Sequence, residues 1–367
     1  MRSPVHVGLI GCGKISDQYF AGCARYDFIK IVACADLDLA RAEAKAREHG
    51  IRALSVEELL AAPDIDLVLN LTIPAAHAAV NTRALEAGKH VYTEKPFALD
   101  AAEGAQVLSL ARAKNLLVGC APDTFFGGGL QTARKAIDDG AIGRPVSAMA
   151  FMLNRGHESW HPSPQFYYER GGGPMLDMGP YYITALVNFL GPVTRVCGSA
   201  QAAFKERVIT SQPLAGTKMP VHVPTHVTGV MDFASGATAT IVTSFDTWAY
   251  PLPCLLIFGT EGTLEAPDPN RFDGLVRIRR GATADYNELP HSHTIERGRG
   301  SGLADMALSI LRRDRPHRAS GALAQHVLEV MEAFEKSSTS GQHVAISSTC
   351  ERPPALPAAL SASELDA

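Results

Sequence analysis

A chain of 367 residues with 46% hydrophobic content is long enough to bury two substantial cores. Its 34 basic and 38 acidic residues leave a formal net charge of −4, with no basic stripe to take a nucleic acid or an anionic membrane. No run approaches the roughly 18 apolar residues of a membrane span. The first apolar stretch, VHVGLIGCG, lacks the flank and cleavage site of a signal peptide. The seven cysteines are scattered and never form C-x-x-C, so neither a zinc site nor a disulfide framework is indicated. A cytoplasmic protein without a metal is expected.

Strand and helix signals alternate through the first 122 residues. HVGLIG reads as a strand, KISDQYFAGCARY as a helix, IKIVACAD as a strand, and LARAEAKAREHG as a helix ended by Gly50. Ser55 and Glu58 form a capping box ahead of VEELLAA, and Pro63-Asp64 turns the chain into the strand IDLVLNLT. AAHAAVNTRALEAG is a helix closed by Gly88, and KHVYTEK the next strand. Asp100 and Glu103 open the helix AAEGAQVLSLARAKN, and LLVGCA closes the series. This alternation predicts right-handed βαβ units and a doubly wound parallel sheet, a Rossmann domain over residues 1–122.

Beyond Pro122 the pattern changes. GGLQTARKAIDDGAIG reads as a helix, but VSAMAFMLN, VTRVCGSAQAAF, THVTGVMDFASGATATIVTSFD and CLLIFGTEGTLEAP are strands, with turns at Ser235-Gly236 and Glu261-Gly262. A second α+β domain, residues 123–345, is expected to carry a large mixed or antiparallel sheet. Helical periodicity returns in GLADMALSILRRD and ALAQHVLEVMEAFEKS. The proline- and alanine-rich end, residues 346–367, reads as a surface-draped tail.

Gly11-Cys12-Gly13-Lys14-Ile15-Ser16 lies between the first strand and the first helix, in the slot of a G-x-G-x-x-G/A fingerprint. The first glycine permits the turn, the second lets backbone approach a pyrophosphate, and the helix N-terminus presents N–H groups to it. Serine in the third position is small enough for close helix–strand packing. Asp36 ends the second strand 20 residues past Ser16, where a carboxylate accepts from ribose hydroxyls and repels a 2′-phosphate. Gly11, Gly13, Lys14, Ile15 and Asp36 thus predict a dinucleotide site, with NAD favoured over NADP. Arg41 stands nearby as a group that can pair with a 2′-phosphate.

VGLIGCGKIS, ADLDLARA, LTIPAAH, GKHVYTEKP and GGGPMLDMGPYYITAL follow one another in an order and spacing that resembles the Gfo/Idh/MocA oxidoreductases, over most of the chain. The resemblance implies that Lys95 of Glu94-Lys95-Pro96 lies where cofactor meets substrate. It further implies that Asp177, Gly179 and Tyr181 form the Tyr version of a D-x-G-x-H/Y motif, and that Thr72, Pro74 and His77 lie near the cofactor with Glu94. For His77 a capping or core role is the alternative. The family's second-domain sheet commonly forms the subunit interface, which implies a homodimer or homotetramer.

The chemistry agrees with that assignment. Oxidising a secondary alcohol delivers hydride to nicotinamide and releases a proton, so a base is needed beside the carbinol. A phenol titrating near ~10 is a poor base unless an ammonium favours its phenolate. Tyr181 is therefore expected to exchange the proton, Lys95 to polarise the substrate oxygen and tune the phenol, and Asp177 to orient the lysine or a sugar hydroxyl; Lys95 and Tyr181 can exchange roles. Adjacent helical side chains diverge by about 100°, so Tyr182 cannot face the point Tyr181 faces. In the aromatic segment 154–173, Trp160 and His161 are balanced between substrate contact and loop packing, as is Asp123. His291 and His293 lack ligand partners nearby and suggest no metal.

The expected activity is NAD-dependent hydride transfer at a secondary alcohol or anomeric carbon of a sugar, sugar derivative or polyol. A trans-diol dehydrogenase and an NADP-bound sugar oxidoreductase are alternatives, and a dinucleotide-binding metabolite sensor is the non-enzyme alternative.

Overall fold

The computed structural model describes residues 4–281 and 285–366. The first half of the βα series is β1 (Val5–Ile10), α1 (Ser16–Cys23), β2 (Ile29–Ala35), α2 (Leu39–His49), β3 (Arg52–Ala53), α3 (Val56–Ala61) and β4 (Leu67–Asn70). It continues with α4 (His77–Glu86), β5 (His90–Thr93), α5 (Ala101–Ala113) and β6 (Val118–Cys120). The local signals act as expected. Gly50 ends α2 in the left-handed region at φ 64°. Ser55 and Glu58 close a reciprocal capping box on α3, and the Asp100 carboxylate accepts from Glu103 N–H at 3.0 Å.

The six strands pair in parallel in the order β3-β2-β1-β4-β5-β6. β1 and β4 are buried almost throughout, as strands covered on both faces must be. The two-residue β3 exists only through its pairing with β2. The order reverses beside β1, so the turn after β1 and the ends of β4 and β5 share the carboxyl edge where such sheets bind ligands.

The chain continues through α6 (Gly128–Asp138), β7 (Pro145–Leu153), α7 (Gly173–Leu190), β8 (Val193–Gln201) and a short hairpin, β9 (Glu206–Val208) with β10 (Lys218–Pro220). There follow β11 (His226–Phe233), β12 (Thr238–Ser244), β13 (Leu255–Gly259), β14 (Gly262–Ala266), β15 (Val276–Arg280) and β16 (Asn287–Leu289), then α8 (Ser301–Leu311), α9 (Gly321–Ser340) and β17 (Val344–Ala345). Nine strands form one mixed sheet, β16-β15-β14-β13-β7-β12-β11-β8-β17, in which only β7 and β12 run parallel. Ala148, Met231, Ala239, Ile257 and Leu264 all point to its buried face, on which α7 packs. Among the described residues, no helix is long and apolar enough to cross a membrane.

Two compact units result. One comprises Met1–Gly128, His293–Gln325 and Pro353–Ala367; the other comprises Gly129–Ser292 and His326–Arg352. The chain thus returns to the first unit for α8 and again for its last residues. That last stretch is anchored at a few points: Leu356 and Leu365 are 3% and 2% exposed, and Arg318 Nε and Arg297 Nη2 donate to the carbonyls of Pro354 and Ser361 at 3.0 Å each. Composition hid this because the anchoring comes from arginines far away in the chain.

Candidate active site

In the first unit, Gly11 has φ 101°, and a β-carbon there would lie 2.6 Å from Leu71 O, so only glycine fits. At Gly13 the position of a β-carbon is open, leaving room for a ligand to approach the backbone. Ser16 donates its hydroxyl to Gly13 O at 2.7 Å and is itself fully buried, which fits the close packing demanded of the third fingerprint position. Lys14 is exposed and Ile15 half-buried beside it. Asp36 Oδ2 accepts from Cys12 N–H at 2.8 Å and Oδ1 from Asp38 N–H at 2.9 Å. The carboxylate therefore ties the glycine loop to the end of β2, and Arg41 lies 4.0 Å from it. A tight turn, an open cradle over a helix N-terminus and an acid at the next strand end fit a dinucleotide.

Side-chain hydrogen bonds fix the neighbouring strand ends. Asn70, at the end of β4, accepts from Thr72 N and Oγ1 at 3.2 and 2.7 Å, and donates to Asn81 Oδ1 at 2.8 Å. Pro74 opens the short turn before α4. His77 is fully buried, its Nδ1 2.7 Å from Pro96 O and its Nε2 3.0 Å from Thr72 O. Burial holds this imidazole below its usual pKa despite both carbonyls. His77 thus joins the Thr72 loop to the Lys95-Pro96 loop. Glu94 Oε1 accepts from Tyr19 O–H at 2.8 Å and Oε2 from Lys95 N–H at 3.0 Å. Lys95 is half-buried just past the end of β5, and the peptide bond to Pro96 is cis.

Asp123 is fully buried, with Oδ2 accepting from Gly300 N–H at 2.8 Å and Gly302 N–H at 3.1 Å, where it closes the N-terminus of α8. Its carboxyl is pushed up to about 6 by burial, against the pull of Arg299. His293 Nε2 lies 3.0 Å from Leu356 O and His291 Nε2 2.9 Å from Gly274 O, so each ring faces backbone.

In the second unit, α7 carries Asp177 and Tyr181 four residues apart, on one helical face. Asp177 is half-buried and Tyr181 5% exposed. Tyr182 is 2% exposed, and its phenol is raised by burial beside Cys254 and Asp268, which marks it as packing.

The loop after β7 brings His157 to Asp177, at 3.5 Å between Nε2 and Oδ2. The His157 ring lies tilted at 33° against Tyr167, 3.8 Å between centroids, and meets Phe245 and Trp160 edge-on. Trp160 is 58% exposed, and His161 Nδ1 accepts from Ser163 N–H at 3.1 Å. The loop is pinned from beneath by Arg207 of β9. This guanidinium is 4% exposed, bonds to Glu158 and Asp246, and donates to Phe245 O at 2.9 Å; Tyr168 O–H also bonds to Glu158. Sequence reasoning singled out this loop and its Trp160 and His161 but passed over His157. Nothing in the spacing pairs His157 with Asp177, since the loop's path decides it.

Residues 5–121 match the family model described as "Oxidoreductase family, NAD-binding Rossmann fold", and residues 130–265 match the "GFO/IDH/MocA C-terminal domain". The chain is 33% identical over 210 residues to dTDP-3,4-didehydro-2,6-dideoxy-α-D-glucose 3-reductase of Saccharopolyspora spinosa, covering 55% of this chain and 61% of that protein. It is 34% identical over 177 residues to inositol 2-dehydrogenase of Rhizobium meliloti (strain 1021), covering 47% and 51%. The match thus spans between half and three-fifths of these relatives' length. Levoglucosan dehydrogenase in complex with NADH and levoglucosan superposes with TM-score 0.80 at 21% identity, over 94% of this chain and 99% of that one.

Proposed function

The chain belongs to the GFO/IDH/MocA oxidoreductase family, and from that premise we propose an NAD-dependent oxidoreductase that transfers hydride at a secondary alcohol or anomeric carbon of a sugar, sugar derivative or polyol. The observation that carries this reading is α7, which sets Asp177 and Tyr181 on one face in a chain that also holds a dinucleotide loop. The relatives named for a nucleotide-sugar reductase and an inositol dehydrogenase support the substrate class.

Gly11, Gly13, Lys14 and Ile15 would hold the pyrophosphate, and Asp36 the adenosine ribose. Thr72, Pro74 and Glu94 would border the nicotinamide half, with His77 bracing their loops. When bound, nicotinamide supplies the acceptor or donor of the hydride. On the substrate side, Tyr181 takes the hydroxyl proton as the carbinol C–H leaves as hydride, Lys95 polarises the oxygen, and Asp177 orients a hydroxyl. Asp36 favours NAD because a carboxylate repels a 2′-phosphate. Arg41, 4.0 Å away, is the feature that supports the NADP alternative.

Two finer points follow in the same reading. All seven cysteines are free, which supports a reducing, cytoplasmic setting. The face of the nine-stranded sheet away from α7 supports a homodimer or homotetramer. There one register row runs Cys197, Val230, Thr240, Met149, Leu256, with Val230 and Met149 41% and 40% exposed.

The test is an absorbance screen for reduced cofactor across monosaccharides, glycosides, inositols and aromatic diols, with NAD and NADP in parallel. Turnover of a sugar or polyol with NAD is expected. A hit confined to diols or to NADP selects the corresponding alternative, and NAD binding with no turnover selects the sensor. Lys95→Ala and Tyr181→Phe are each expected to lower kcat about 10²–10⁴-fold while NADH fluorescence still reports binding. Unchanged turnover in both would overturn the assigned roles.

A further inference from the structure

His157 is a buried imidazole, 8% exposed, and neither ring nitrogen has a hydrogen-bond partner among the described residues. Its Nε2 nonetheless lies 3.5 Å from the Asp177 carboxylate. A buried donor left unmet costs ~1–3 kcal/mol, so an imidazole kept in this condition calls for a compensating use. The surrounding structure holds it there firmly. Tyr167 lies tilted against the ring at 3.8 Å, Phe245 meets it edge-on at 4.7 Å, and the next residue, Glu158, is gripped by buried Arg207. His157 backbone N–H also donates to Tyr168 Oη at 3.3 Å.

We propose that His157 is a positioning residue for Asp177. Its Nε2–H donates to the carboxylate and fixes the rotamer in which Asp177 receives a substrate hydroxyl. The carboxylate favours the proton on the nitrogen that faces it. Nδ1 then carries no hydrogen and needs no acceptor. At 3.5 Å the two atoms stand just beyond the usual hydrogen-bond range of about 2.7–3.2 Å, so a small rotation of either side chain completes the bond. A carboxylate has about four lone-pair directions, so one bond accepted from His157 does not saturate it. The aromatic cage of Tyr167, Phe245 and Trp160 fixes the ring plane.

The proposal rests on the oxidoreductase reading, and the experiment separates the two. In histidine-¹⁵N-labelled protein, with the His157 resonances assigned by their loss in His157→Gln, the ring is expected to show the Nε2–H tautomer. Asp177→Asn is expected to shift those resonances, and added substrate to perturb them in the wild type. A Nδ1–H tautomer, or resonances indifferent to Asp177→Asn, overturns the proposal whether or not turnover has been found. In kinetics on the substrate identified by the screen, His157→Phe keeps the stacked ring and loses the donor. It is expected to lower kcat/KM about ten- to hundredfold, with cofactor affinity unchanged, whereas His157→Gln, which keeps an N–H donor near Nε2, recovers most of the loss. Equal loss in both variants with intact thermal melts indicates packing alone and overturns the positioning role. If Lys95→Ala and Tyr181→Phe leave turnover intact, the assigned catalytic roles have failed independently, and the tautomer measurement still decides the His157–Asp177 pair.

Discussion

At Asp123 one carboxylate oxygen closes the N-terminus of α8 while burial pushes the carboxyl up to about 6, from 3.8 in an unperturbed chain. Between those two values the folded protein holds a proton that the unfolded chain has released. The stability this group contributes is therefore full below the unfolded pKa and lost as pH rises through the folded one. At ~1.4 kcal/mol per pKa unit, the loss is on the order of 2–3 kcal/mol. Urea unfolding of wild type and Asp123→Asn at about pH 4 and about pH 7 checks this: relative to the variant, the wild type is expected to lose that much across the interval, and parallel profiles would contradict it. The amide introduced by Asp123→Asn keeps an oxygen that can accept from Gly300 and Gly302, so the comparison isolates the titration. His77 shows the same dependence on surroundings. The resemblance implies a place near the cofactor with a core role as the alternative, and only the fold shows that its two ring nitrogens face Pro96 O and Thr72 O.

At the scale of elements, α7 and the loop before it show local preference yielding to packing. Pro180 sits inside α7, where proline removes one i→i−4 bond, here the one to Leu176 O. The helix survives because every residue from Tyr181 to Leu190 is buried. The 154–173 loop has no such face and depends on Arg207, whose buried charge meets two carboxylates from Glu158 and Asp246. Arg207→Ala leaves both carboxylates buried without their cation, which typically costs about 3–5 kcal/mol. A lowered melting temperature together with faster proteolytic cleavage within 154–173 is the expected outcome. Cleavage at the wild-type rate would mean that the loop is held by its aromatic contacts instead. The hairpin carrying Arg207 was invisible in the sequence, because β9 and β10 are three residues each and are defined only by pairing with one another.

At the scale of the whole molecule, the large sheet has one face under α7 and another whose central row is Cys197, Val230, Thr240, Met149 and Leu256. In the proposed homo-oligomer a second copy of the chain covers half-exposed Val230 and Met149 on this face. Val230→Glu is expected to leave the fold intact and, in the proposed homo-oligomer, to reduce the assembled mass in sedimentation; unchanged mass would overturn this face as the interface. The sequence by itself determined the βα series, its caps and glycine loop, the Asp36 position and the Asp177–Tyr181 spacing. Each of these is a local property, written in the periodicity and turn chemistry of neighbouring residues. Tertiary structure alone decided that Asp123 closes α8, that the last residues pack through Leu356 and Leu365, and that His157 meets Asp177. Those contacts join residues far apart in the chain, or across a loop with no repeating pattern, so only the folded path of the backbone brings them together.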